Sequence, residues 1–440
     1  MIAELEYKAR RDALGVKLSN NSVAVLFSAE PKSRSNDTEY PYRQNSSFYY
    51  VSGFKEDNSA LIFVKTKKGL KTILFVQGKD KKAELWSGKR LGEKRAKEKF
   101  LVNEVYAMSK LQEKLKEFLT NKKSLYYDFS LDYSKIKMLK RESKEIFAHK
   151  NIALLIGEMR LIKSATEIEL IKKAIKITKE AHHAAMRFDK KDKFEYQLQA
   201  EIEYVFKSNG AYSDAYTSIL AGGNSANTLH YINNDKVLKE GELVLIDAGC
   251  EYEYYASDIT RTIPVNGKFT KPQKELYNMV LGVQKKIIKM VKPHVKRSTL
   301  QARSEKLLTL GMIKLGILKG DYKKLIKKKK HKKYFPHGIG HWMGLDVHDE
   351  APYKYHNDSE IPLSSGMVLT IEPAIYCDKN DKSIPKKYRG IGIRIEDNIL
   401  VTSKNYENLS KNIAKSVAAI EKKGTVFALK AYYGKGNNEL

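Results

Sequence analysis

Short apolar runs separated by polar and glycine-containing turns fill the first third of the chain. SVAVLFSA (22–29), SSFYYVSGF (46–54), SALIFVKT (59–66) and KTILFVQG (71–78) are rich in β-branched and aromatic residues, and each predicts a strand. KLQEKLKEFL then predicts a helix and SLYYDFS a further strand, which together describe a smaller α/β domain over residues 1–155.

At Ser164 the pattern changes. Ser164-Ala-Thr-Glu167 has the form of a capping box, and Ile168, Ile171 and Ile175 follow at helical spacing. A linker is placed at 156–164 and a second domain at 165–440. Helices are expected there near 165–188, 194–209 and 272–291, and strands near 216–221, 242–248, 254–265, 367–376 and 391–402. Strands mixed with long helices, without regular βαβ alternation, favour the α+β class over a doubly wound sheet. The terminal KAYYGKGNNEL is expected to be loosely held.

Composition narrows the function classes. At 440 residues the chain exceeds what one hydrophobic core ordinarily supports. A formal charge of +29 suits a polyanionic partner, yet the lysines are scattered and mixed with glutamate. The densest run, KKLIKKKKHKK (323–333), lacks the aromatics that stack on bases, so no nucleic acid is expected. It reads as an exposed connection able to steer anionic peptides. Two cysteines, Cys250 and Cys377, make neither a disulfide framework nor a CxxC zinc site. No stretch approaches the length of a membrane span, so no membrane partner and a cytoplasmic location are expected.

The chemistry concentrates in the second domain, where carboxylates follow apolar runs. Asp247 ends Leu243-Val244-Leu245-Ile246, and Asp258 returns in the second arm of an expected hairpin. Glu372 follows Val368, Leu369 and Ile371, while Glu396 lies two residues beyond Arg394, on the same face of a strand. Singly, each is explained by a turn cap or a salt bridge. Four buried carboxylates on separate strands cannot stay ionised together without cations, and a metal cluster resolves the conflict. HGIGHWMGLDVHDE adds His337, His341 and His348. His337 and His341 have the spacing of a helical zinc site, but Pro336, Gly338 and Gly340 disfavour a helix and the HExxH glutamate is missing. A loop or strand end carrying one ligand fits better.

Four segments, IDAGCEYEYYASDITRT, HGIGHWMGLDVHD, GMVLTIEPAIY and GIGIRIEDNILVT, resemble the signature regions of the proline-specific metallopeptidases. RSNDTEYPYRQNSSFYYVSGFKE and LWSGKRLG resemble the Xaa-Pro aminopeptidase (aminopeptidase P) branch of that family. The resemblance implies a C-terminal pita-bread domain of the creatinase and methionine aminopeptidase type. It implies two divalent metal ions, with Mn²⁺ the first expectation for an oxygen-rich donor set. Asp247 would bind one metal, His341 and Glu372 the other, and Asp258 and Glu396 both.

The resemblance further implies that a metal-activated hydroxide attacks the Xaa-Pro bond of peptides with proline in second position, Glu372 serving as general base. It gives His230 and His348 contacts near the scissile bond, His337 a further active-site role, and Arg394 a role in organising the site. A pyrrolidine pocket using His230, His348 and Tyr388 would select proline. Trp86 reads either as core or, by resemblance, as a residue closing a neighbouring subunit's cleft; a homo-oligomer, dimer or tetramer, is expected. A Xaa-Pro dipeptidase would share this ligand set. Metal-free creatinase and a catalytically dead binding module fit it less well, since all five ligands are present.

Overall fold

The computed structural model describes residues 2–424, and the KAYYGKGNNEL tail lies outside them. The chain divides into two compact units, Met1–Arg160 and Leu161–Leu440. Of the segment expected as a linker, 156–164, residues 156–160 finish the helix Ile152–Arg160, whose Ile152, Ala153 and Ile156 are buried, and 161–164 are turn and irregular backbone.

The first unit is built on a six-stranded mixed sheet in the order Glu104–Ala107, Gly69–Val76, Ala60–Thr66, Ser22–Phe27, Ser124–Tyr127, Ala148–Asn151. Ser22–Phe27 is buried along its whole length, as a central strand covered on both faces must be. One expectation fails here. Ser46–Ser52 is a helix, not a strand. The Asn45 side chain caps it at the Phe48 N–H, and Gly53, at φ +66°, closes it in the left-handed region. Capping and burial of all seven residues override the strand preference of the aromatic run.

In the second unit the helix Ala165–Arg187 opens on the expected capping box, with Ser164 Oγ and Glu167 bonding reciprocally to backbone. Behind it come helices Glu195–Ser208, Lys271–Ile288 and Arg297–Lys314, the last without a counterpart in the sequence pattern. Ile219–Gly222, Leu243–Asp247 and Thr260–Pro264 form an antiparallel sheet in which Asp247 pairs with Thr260. Val368–Ile371, Asp397–Val401 and Tyr406–Asn408 form a second, and Ala374–Cys377 pairs with Ile391–Arg394.

The runs 367–376 and 391–402 are therefore each two strands. The first breaks at Glu372-Pro373, where proline removes a ladder donor, and the second at Ile395-Glu396. Each break frees a carboxylate from the ladder. The pieces are cross-tied by Thr262 Oγ1 donating to the Arg394 carbonyl, Glu396 N–H donating to the Thr260 carbonyl, and a fully buried Arg261–Asp397 ion pair at 2.7 Å.

Candidate metal centre and active site

A cavity of about 420 Å³ opens at these strand ends, lined by Asp247, Asp258, His341, Glu372 and Glu396 together with His230, His337, His348, Arg297 and Arg394. The five expected ligands, the three histidines His230, His337 and His348, and Arg394 all line it. Tyr388 does not; it is buried elsewhere and donates to Glu275, so it cannot contribute to a proline pocket there.

Asp247, at the end of its strand, and Asp258, just before the paired strand, are held by one group. The Tyr216 hydroxyl lies 2.6 Å from Asp247 Oδ1 and 2.7 Å from Asp258 Oδ1. The Asn398 side chain fixes the Asp258 backbone, accepting from its N–H and donating to its carbonyl. Arg394 Nη2 donates to Asp247 Oδ2 at 2.5 Å, Nη1 to the Tyr376 hydroxyl at 2.7 Å and Nε to Thr260 Oγ1 at 3.2 Å. Thr260 in turn donates to Glu396 Oε2 at 2.7 Å.

The HGIGH segment is irregular backbone, and its path requires glycine. A Cβ on Gly340 would stand 1.9 Å from the Thr370 carbonyl oxygen, so no side chain fits between this segment and the neighbouring strand. His341 Nδ1 is 2.9 Å from the Trp342 carbonyl and donates to it, which leaves Nε2 facing Asp258 Oδ2 at 3.2 Å and Glu372 Oε1 at 3.8 Å. His337 is fixed by the Gly338 carbonyl at 2.7 Å and the Tyr376 hydroxyl at 3.0 Å, with Glu372 Oε2 at 3.6 Å. The His348 ring stands edge-on to His341, centroids 4.1 Å apart.

Burial is the main force on these groups. It pushes Glu372 up to about 7 and Glu396 well above the carboxylate range, with the charges of Asp258 and Glu372 adding to the rise at Glu396. Asp247 rises for the same reason, although Arg394 opposes it. At Asp258 burial is outweighed by His341, which holds it down, and the same contact overcomes burial to raise His341 to about 9. Packed protein alone thus cannot keep four carboxylates charged here.

Divalent cations remove that conflict, and the donor set fits them. One atom each of Asp258, His341 and Glu396 lie within 4.8 Å of one another, close enough for a shared ion. Asp247 and Glu372 flank this group in the same cavity. Tyr216, Tyr376, Thr260 and Asn398 were not anticipated. Thr260, Tyr376 and Asn398 lay within the segments that carry the resemblance and Tyr216 at the start of an expected strand, but their partners lie across long stretches of chain.

Comparison with known proteins agrees with this chemistry. The model of metallopeptidase family M24 matches residues 169–403, and that of the aminopeptidase P N-terminal domain matches residues 7–126. The chain is 41% identical to the Xaa-Pro aminopeptidase of Haemophilus influenzae, covering 94% of this chain and 96% of the relative. It is 39% identical to that of Escherichia coli, covering 96% and 97%. Among solved structures, Zn-substituted E. coli aminopeptidase P in complex with product superposes with a TM-score of 0.93 at 37% identity, covering 97% of this chain and 99% of that one. Proline aminopeptidase P II from Yersinia pestis does so with 0.93 at 38%, covering 97% and 100%. Matched along nearly its whole length and carrying a hard, carboxylate-rich cation site, the chain belongs to metallopeptidase family M24, among the Xaa-Pro aminopeptidases.

Proposed function

We propose that this metallo-aminopeptidase removes the first residue of peptides whose second residue is proline, using two divalent metal ions, Mn²⁺ before others. The observation that carries the reading is the close Asp258–His341–Glu396 donor group, flanked by Asp247 and Glu372 in one cavity. Asp258 and Glu396 would be shared between the ions, Asp247 completing one and His341 with Glu372 the other. When bound, such a pair supplies an activated water and polarises the scissile carbonyl.

The chain's own groups do the rest. Glu372, beside His337 and His341 in the cavity, is suited to take a proton from the nucleophile and pass it to the departing proline nitrogen. His230 and His348, both at the exposed mouth of the cavity, are placed to donate to the carbonyl oxygen as charge develops. Arg394 neutralises Asp247 and, through Tyr376, fixes His337. The tertiary amide before proline has no N–H, so a site that grips no amide hydrogen at that bond accepts it without loss.

No helix among the described residues is long and apolar enough to cross a membrane. Cys250 and Cys377 are buried free thiols, which fits a reducing cytoplasm. Trp86 is 84% and Leu85 81% exposed on the short helix Lys81–Ser87, so core packing does not explain Trp86, which supports the reading of a homo-oligomer contact.

The test is hydrolysis of Ala-Pro-Ala, Ala-Ala-Ala and Ala-Pro by metal-stripped protein with and without added Mn²⁺. Release of alanine from Ala-Pro-Ala, dependent on metal and absent for Ala-Ala-Ala, is expected. Cleavage confined to Ala-Pro would make the enzyme a dipeptidase, and no release by folded, metal-loaded protein would end the proposal.

A further inference from the structure

Two arginines line the cavity, and only one is spent. Arg394 gives its charge to Asp247. Arg297, the first residue of the helix Arg297–Lys314, makes no ion pair among the described residues; its one hydrogen bond runs from Nη1 to the Gly340 carbonyl at 2.8 Å. Glu360, which feels the Arg297 charge, turns both carboxylate oxygens to Ser298 instead. Arg297 Nε is buried without a partner.

The guanidinium is nonetheless held firmly. It lies over the Tyr353 ring, 4.3 Å from its centroid, and Tyr353 stacks on the buried Trp342 with centroids 5.5 Å apart. A cation fixed by stacking on an aromatic wall loses little freedom when it binds an anion. With Nη1 on Gly340, next to His341, its remaining guanidinium edge is left for a ligand in the cavity.

The charge pattern of the cavity orients a peptide. An α-ammonium group is drawn to the four carboxylates and repelled by Arg297, so the acyl end of the chain runs toward the arginine. The one anion every unmodified short peptide carries is its C-terminal carboxylate, which a guanidinium grips through two parallel N–H donors. Resting on the substrate reading above, we infer that Arg297 binds the C-terminal carboxylate of short Xaa-Pro peptides and makes the enzyme favour free acids over their amides.

The experiment compares kcat/KM for Ala-Pro-Ala and Ala-Pro-Ala amide in the Mn²⁺-loaded wild type, R297Q and R297A. In parallel, calorimetry measures binding of Pro-Ala and Pro-Ala amide. R297Q keeps a donor for Gly340 while removing the charge, so it separates carboxylate binding from support of the HGIGH segment. The wild type should prefer the acid by about tenfold, the worth of one charge-assisted hydrogen bond. That ratio should fall to about one in both variants, through KM more than kcat, with a matching loss of the acid's binding advantage. A wild type indifferent to amidation, or an acid-to-amide ratio unchanged in R297Q and R297A even where both rates drop, overturns the inference while leaving the substrate reading intact. Failure of the wild type to cleave either peptide would instead remove the substrate reading and this inference with it.

Discussion

The Tyr216 hydroxyl stands 2.7 Å from Asp258 Oδ1 while also standing 2.6 Å from Asp247. A phenol has one hydrogen to give, so the second contact is favourable only when a carboxyl holds a proton or a cation neutralises the pair. With Glu372 raised to about 7 and Glu396 held well above the carboxylate range by burial, the metal-free site is partly protonated near neutrality. Metal binding must therefore displace protons, and affinity should rise as pH increases through 7. Calorimetry of Mn²⁺ binding in buffers of different ionisation enthalpy would count them. A binding enthalpy independent of buffer would contradict the protonated site. Tyr216→Phe, which removes the shared donor, should change Mn²⁺ affinity by roughly 10–100-fold.

Asp258 touches His341 directly and belongs to the close donor group. Asp258→Ala should therefore abolish both metal-induced stabilisation and turnover. A bound metal contributes several kcal/mol to the transition state, so the loss should reach at least about a thousandfold in kcat. The folded variant should also lose the rise in unfolding temperature that Mn²⁺ gives the wild type. Retention of that rise would mean that Asp258 is not a ligand.

Much of this site was legible because carboxylates beside Leu, Ile and Val runs are conspicuous. Asp247, Glu372 and Glu396 each announce themselves against an apolar background that would otherwise expel them. The irregular HGIGH path was legible too, from its glycines and the preceding proline. What the pattern conceals is long-range: Tyr216 reaches Asp247 across 31 residues, and Thr260 meets Glu396 across 136. Arg297 begins a helix whose apolar positions have no marked periodicity, so neither the helix nor its place on the cavity wall stood out. Ser46–Ser52 misled for the opposite reason, strong local strand preference defeated by an asparagine cap and a glycine stop.

Lys163 and Asp349 form an ion pair at 2.8 Å with both side chains 1% exposed. Asp349 follows His348 and also accepts the Asp346 N–H, so the pair anchors the turn that carries the histidine. Lys163→Met removes the ammonium that stands 2.8 Å from Asp349 and should lower stability in denaturant unfolding. The double variant Lys163→Met/Asp349→Leu should be less unstable than the sum of the single variants, since either single change already forfeits the pair. If the double variant is as unstable as the sum of the single ones, the charges are not coupled.

His182 and His183, side by side on Ala165–Arg187, set an acid limit for the second unit. His182 donates from Nε2 to the Ala248 carbonyl at 3.0 Å, and its Nδ1 is buried without a partner. His183 Nε2 accepts the Ala414 N–H at 3.3 Å. A second proton would give His182 an N–H with no acceptor and cost His183 its acceptor. Burial, with smaller help from nearby cations, accordingly lowers them to about 3 and about 4. In the unfolded chain each takes up a proton near pH 6.5, which the folded form refuses until pH 3–4, so the unfolded state binds more protons in that window. Stability is therefore lost as pH falls from about 6.5 toward 4, at up to about 1.4 kcal/mol per pH unit for each histidine. Glu372 and Glu396, raised in the folded form, act in the opposite sense, so the comparison that isolates the histidines is between variants. Denaturant unfolding of wild type and His182→Gln from pH 7 to 4.5 should give a shallower decline in the variant, which keeps a donor for Ala248 but cannot titrate. Equal slopes would show that His182 is not the buried base that limits acid stability.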